Sequence, residues 1–284
     1  MTFHNVYNSS IQITYNNSTE LILNLNSINE YICPICLKIF NKKDIDLLSK
    51  EHVPPESVGG KIICLTCIPC NTKFGSKIEG SISDYFKSIE FDDIFFSSDN
   101  NVTKRKTKIN KSISSSIEKN NGNIIIKIDE KNSNPFEVKN FFNQLKKTGY
   151  SELKFKNPHP INSDKINLSL LKSAYLYFFS NIGYNSLMWS SFKLIRDQIN
   201  NPTIDQINGF NFIINQNFED SDLGISIIIK DNINYGYLVV LRINNENVGI
   251  ALPYRDDDNL SLYKLIFNDK IRFIRKINCQ PLIK

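Results

Sequence analysis

Apolar and polar residues alternate near the N-terminus, in Ile11-Gln12-Ile13-Thr14 and in Leu21 through Leu25. That period of two predicts short half-buried strands over residues 1–30. An apolar stretch from Phe86 through Phe96 needs a packing partner. Residues 101–122 lose the pattern. They carry Lys104-Arg105-Lys106, Lys108 and Lys111, then a serine run, then Asn120-Asn121-Gly122. Such a composition buries little apolar area and predicts a linker or loop. A strand is expected over Asn123–Ile128. A helix is expected from Pro135 through Phe141 and Phe142 to Lys147, with Gly149 as its stop.

Between 164 and 200 the period becomes helical. Leu168, Leu171, Tyr175, Phe178 and Ile182 recur every three or four residues, and Gly183 closes the run. A second helix is expected over Ser190–Ile199, with Pro202 just beyond. The rest reads as strands: Phe210–Ile214, Gly224–Lys230, Tyr237–Ile243, Val248–Pro253 and Ile271–Ile277. Residues Asn244–Asn247 would turn a hairpin. The stretch from Leu171 to Pro202 has a helix-turn-helix outline, but its exposed face holds few cations, so core packing is favoured over DNA contact. The fold class is α+β. Four parts are expected: strands in 1–30, a cysteine-rich unit in 31–100, a basic and serine-rich linker or loop in 101–122, and an independent α+β module in 123–284.

The 284 residues suffice for roughly two domains at ~100–200 residues each. A hydrophobic fraction of 41% with 19 Phe can fill ordinary cores. No run approaches the ~20 apolar residues that span a bilayer, and no signal pattern opens the chain, so a cytoplasmic protein is expected. The net charge of +5 permits nucleic-acid binding without requiring it. No internal repeat is visible.

Cysteine placement changes the picture more. Five of the six cysteines fall between positions 33 and 70, which favours metal over disulfide. Cys33-Pro34-Ile35-Cys36 and Cys67-Ile68-Pro69-Cys70 are two tight knuckles, a spacing that can close a tetrahedral zinc site. Cys64 lies in the apolar run Ile62–Leu65 and reads as an ordinary buried thiol. Between the knuckles stand Glu51-His52-Val53-Pro54-Pro55 and Gly59-Gly60, and Asn71 follows Cys70. A neutral imidazole can accept a proton from water near pH 7. A carboxylate and an amide oxygen are hard ligands suited to Mg²⁺ or Mn²⁺, whereas thiolates suit Zn²⁺. Lys73 either touches a phosphate or is a solvated helix lysine. Lys104, Arg105 and Lys106 either track a phosphate backbone or lie in a solvated linker. Asp256-Asp257-Asp258 reads as a polar loop, and His4 and His159 read as structural or incidental.

This order of residues, Cys-x-x-Cys, Glu-His-Val-Pro-Pro, Gly-Gly, then Cys-x-x-Cys-Asn-x-Lys-x-Gly, resembles the HNH endonuclease family of the His-Me finger, or ββα-metal, class. The likeness covers residues 31–80. It implies a β-hairpin and a helix clasping a divalent metal, braced by the zinc knuckles. It implies His52 as general base, with Glu51 and Asn71 as metal ligands. The family's middle asparagine corresponds here to Ile62, so another group must orient His52. The resemblance further implies phosphodiester hydrolysis, in DNA first and RNA as the alternative, with residues 123–284 serving recognition or regulation. Restriction or anti-phage defence is an expectation by analogy. A homodimer or a partner-protein complex would suit double-strand cutting. The rival expectations are a non-catalytic zinc module that binds nucleic acid or protein, and a nuclease subunit active only with a partner.

Overall fold

The computed structural model describes residues 30–96, 104–110, 112–120, 123–149, 153–156, 161–202, 207, 213–214, 217–230, 233–257, 261–262 and 278–281. In chain order these contain β1 (Glu30–Ile32), β2 (Ile39–Asn41), β3 (Leu48–Val53), β4 (Lys61–Cys67), α1 (Ile68–Phe74), a π-helical turn over Gly75–Glu79 and α2 (Gly80–Phe96). Next come β5 (Lys104–Ile109), β6 (Ile113–Asn120), β7 (Asn123–Ile128), α3 (Pro135–Thr148) and β8 (Phe155–Lys156). The last group is α4 (Ser163–Ile182), α5 (Ser190–Asn200), β9 (Ile213–Ile214), β10 (Gly224–Lys230), β11 (Ile233–Ile243), β12 (Glu246–Pro253) and β13 (Asn278–Pro281). The α+β class holds. Strands β1 and β2 pair, as do β3 and β4; a four-stranded sheet runs β7-β6-β5-β8 and a five-stranded one β13-β10-β11-β12-β9. No described helix is long and apolar enough to cross a membrane.

The chain forms two compact units: Met1–Ile82 with Ser163–Lys284, and Ser83–Asn162. This departs from the expected boundaries. Residues 163–284 are no separate module, because they hold the first cysteine knuckle. Tyr175 Oη donates to Pro34 O at 2.6 Å, Ile32 N donates to Tyr184 Oη at 3.1 Å, and Asn200 Nδ2 donates to Ile35 O at 3.0 Å. The turn at Asn244 also donates its amide to Val58 O. Helix α4 is apolar nearly all round and is buried accordingly, with Leu171, Tyr175, Phe178 and Phe179 inaccessible. Its Phe178 ring meets Trp189 and Phe192 edge-on and Tyr237 at a tilt. The helix-turn-helix outline of 171–202 is therefore core. Asn244 and Asn245 both take positive φ, the geometry of a two-residue hairpin turn.

In the second unit, the described residues of the expected linker or loop instead form the β5–β6 hairpin, with strands over 104–109 and 113–120. Every second side chain turns inward there, and Ile109 and Ile113 pack on Val138 and Phe141 of α3. Asn134 caps α3 by accepting from Phe136 N, and Gly149 ends it at φ 72°. The strands expected in residues 1–29 and at Ile271–Ile277 lie outside the described residues, as do most of Phe210–Ile214 and Asp258.

Candidate metal centre and hydrolytic site

The four knuckle cysteines converge. Sγ atoms of Cys33, Cys36, Cys67 and Cys70 all lie within 4.8 Å of one another, and Cys36 and Cys67 are 3.7 Å apart. Four thiolates around one ion at about 2.3 Å must stand about 3.8 Å apart, so the donor set fits a tetrahedral metal. Backbone geometry supports the cluster. Leu37 adopts φ 60° so that its amide returns to Cys33 O, and Cys67 N donates to Cys33 Sγ at 3.4 Å. Hydrogen bonding from Cys33 holds the Cys36 thiol down at about 2, and the same contact raises Cys33. Cys64 stands apart; burial raises its thiol.

The hairpin β3–β4 and α1 carry the second group of residues. Glu51 and His52 sit on β3, at a β-bulge that pairs Glu51 with Cys64 but His52 with Ile62. Two adjacent strand residues normally face opposite sides. Glu51 is 2% exposed, whereas His52 is half-buried. The turn returns through Gly59, at φ 89°, and Gly60, whose Cβ would overlap Pro54 O at 1.4 Å. The two glycines of the motif are thus required by backbone shape.

Asn71, on α1, donates Nδ2 to Ser49 Oγ at 2.8 Å and to Lys50 O at 3.2 Å. A carbonyl accepts only from the NH₂ end, so these bonds fix the amide and leave Oδ1 as its acceptor. The Glu51 carboxylate is already engaged. Its Oε1 accepts from Lys172 Nζ at 2.7 Å and its Oε2 accepts from Thr66 Oγ1 at 2.7 Å. Lys172 also bonds Glu79 Oε1, and lies 5.1 Å from the centre of the Phe74 ring. Burial disfavours the Lys172 charge, but Glu51 and Glu79 outweigh it and raise its pKa. Burial raises the Glu79 carboxyl, against the pull of Lys172 and the weaker pull of His52.

Glu79 and Lys172 were not expected at this site. Asn71, Gly75 and Glu79 follow one another at four-residue intervals, and a Cβ on Gly75 would lie 3.8 Å from Glu79 Oε2 and 4.0 Å from Asn71 Oδ1. A lysine alone in the apolar run Leu170–Phe179 was the available signal, since buried lysines need acidic partners. No described residue hydrogen-bonds the His52 imidazole, and Ile62 opposite it offers no side-chain acceptor. Lys73 Nζ is bound to Asn200 O. Lys104, Arg105 and Lys106 belong to β5 of the second unit, with both lysines exposed and Arg105 on the opposite face.

Residues 33–87 match the family model of HNH endonucleases. No curated protein and no solved structure matches the chain. The matched stretch opens at the first knuckle and takes in the hairpin, Asn71 and Glu79. It joins a four-cysteine cluster that could hold a metal ion to a ββα unit, and the chain carries in it an HNH endonuclease domain.

Proposed function

We propose that the protein is a metal-dependent endonuclease that hydrolyses phosphodiester bonds in nucleic acid, with DNA as the first substrate to test and RNA the second. The observation that carries this reading is the fixed Asn71 amide, whose Oδ1 is turned away from Lys50 O on the strand that bears His52. His52 takes the proton of the attacking water through a neutral ring nitrogen. Asn71 Oδ1 and the carboxylates of Glu51 and Glu79 are the hard donors for Mg²⁺ or Mn²⁺. Glu79 Oε2 is the more available carboxylate oxygen, because both Glu51 oxygens already accept protein hydrogen bonds. The divalent ion, when bound, neutralises the scissile phosphate and assists the leaving 3′ oxygen. The cysteine cluster holds structural Zn²⁺ and keeps α1 in register with the hairpin.

A second reading, a zinc module that binds without cutting, is favoured by one observation: Ile62 faces His52 where a polar side chain would help to orient a base. Supercoiled plasmid separates the two. Nicking or linearisation that needs Mg²⁺ or Mn²⁺, stops with EDTA and is lost in Asn71→Ala supports the nuclease. Plasmid binding without any cutting supports the binding module.

A further inference from the structure

We propose that the lysine- and serine-bearing face of the second unit's sheet binds the phosphate backbone of nucleic acid. The inference rests on the nuclease reading only for the identity of the polyanion. The unit 83–162 carries fourteen Lys or Arg against ten Asp or Glu, a net +4, and within it residues 104–162 carry thirteen against five, a net +8. Positive charge is therefore gathered in this segment. Within it the strands sort the charge further. Lys104, Lys106 and Lys108 alternate along β5 and are exposed, while Thr107 and Ile109 between them are buried. Register places Lys108 opposite Ser114 and Lys106 opposite Ser116, and Ser116 in turn opposite Lys127 on β7. The row Lys106–Ser116–Lys127 thus crosses three strands on one face. The reverse face packs on α3 through Ile109 and Ile113.

These side chains line a groove of about 1170 Å³. That volume exceeds what a small ligand needs, roughly 300–1,000 Å³. Its acids are few: Asp129 lines it, and Glu118 beside it is taken by Lys127 at 2.8 Å. Successive same-face lysines stand roughly 6.6–6.8 Å apart along a strand, and like charges so placed repel. Among the described residues, acidic neighbours offset the row at Lys104, opposite Glu118, and at Lys106, near Asp129, whereas a phosphate backbone would neutralise the whole row and release counterions. The Ser116 hydroxyl, between Lys106 and Lys127, supplies a donor for a phosphate oxygen, a contact that positions a strand without reading its bases, whereas Ser114 Oγ already donates to Asn132 O. The same chain carries the HNH domain, so a backbone held here raises the effective concentration of substrate for it.

The test uses full-length His52→Ala protein, a fluorescein-labelled duplex and its single strand, and anisotropy over a range of salt. The face variant combines Lys104→Thr, Lys106→Thr and Lys108→Thr. A control combines Lys139→Gln, Lys146→Gln and Lys147→Gln, which removes the same charge from exposed positions of α3. The face variant should bind at least ~10-fold more weakly, with a duplex salt slope shallower by about 2–3, and the control should stay within ~2-fold. Lys106→Thr alone, which leaves the hairpin otherwise intact, should lower the slope by about 1. Unchanged binding by the face variant, or an equal loss in the control, overturns the proposal, as does a preference for anionic vesicles over nucleic acid. Plasmid cutting is read separately. Lost binding in the face variant with no cutting by wild type would leave this proposal standing and sink the nuclease reading.

Discussion

Lys172 Nζ lies 2.7 Å from Glu51 Oε1, so a helix far along the chain neutralises the residue that precedes His52. Both side chains are 3% exposed, and Glu79 completes the cluster from the end of the π-helical turn. Lys172→Met keeps the apolar stem but strands two carboxylates in the interior. Breaking a buried pair from one side costs about 3–5 kcal/mol. Urea denaturation should show that loss. The triple variant Lys172→Met, Glu51→Gln, Glu79→Gln should recover much of it, and no recovery would contradict the pairing.

The same cluster sets which carboxylate is free to act. Manganese binding, followed by the loss of its free-ion EPR signal, should weaken at least ~10-fold in Asn71→Ala and in Glu79→Gln. Glu51→Gln should change affinity less and stability more. The reverse order would make Glu51 the ligand and Glu79 the structural partner.

Zinc content separates the cysteines. Cys36→Ser should lower bound zinc well below one per chain and destabilise the fold, because structural sites contribute folding energy directly. Cys64→Ala should keep full zinc content. Its cost should be that of a small buried side chain, about 1 kcal/mol.

Tyr175 gives a pH signature of the knuckle's support. Burial raises its phenol to about 12, and its hydroxyl donates to Pro34 O. A group raised on folding contributes stability that is whole below its unfolded pKa, here near 10, and is lost as pH rises through the folded value. Tyr175→Phe should therefore cost about 1–3 kcal/mol at neutral pH, the penalty of an orphaned buried carbonyl. That difference should shrink between pH 10 and 12. A difference that grows over this window would contradict the hydrogen bond.

Much of the candidate site is spelled out by local signals. The two knuckles, the Glu51-His52 pair, the Gly59-Gly60 turn and Asn71 fall within 39 consecutive residues. Helices α3, α4 and α5 announced themselves by period, caps and stops. The β5–β6 hairpin did not, because Thr107, Ser115 and Lys119 fill buried positions where a strand pattern needs apolar residues. The grouping of 163–284 with the cysteine-rich segment was hidden for another reason. Its evidence is in contacts such as Ile32 to Tyr184, 152 residues apart, which no local pattern records. Glu79 is not singled out in the sequence, because its partner Lys172 stands 93 residues further along the chain.

The proposed nuclease stands or falls on His52 as its general base. The most direct measurement is the single-turnover rate of plasmid cleavage by wild type and His52→Ala, at saturating Mn²⁺ and matched zinc content. Loss of a general base costs about 10²–10⁴-fold. His52→Ala should slow cleavage in that range with manganese affinity unchanged, and free imidazole should partly rescue it. Equal rates for the two proteins would contradict His52 as the base.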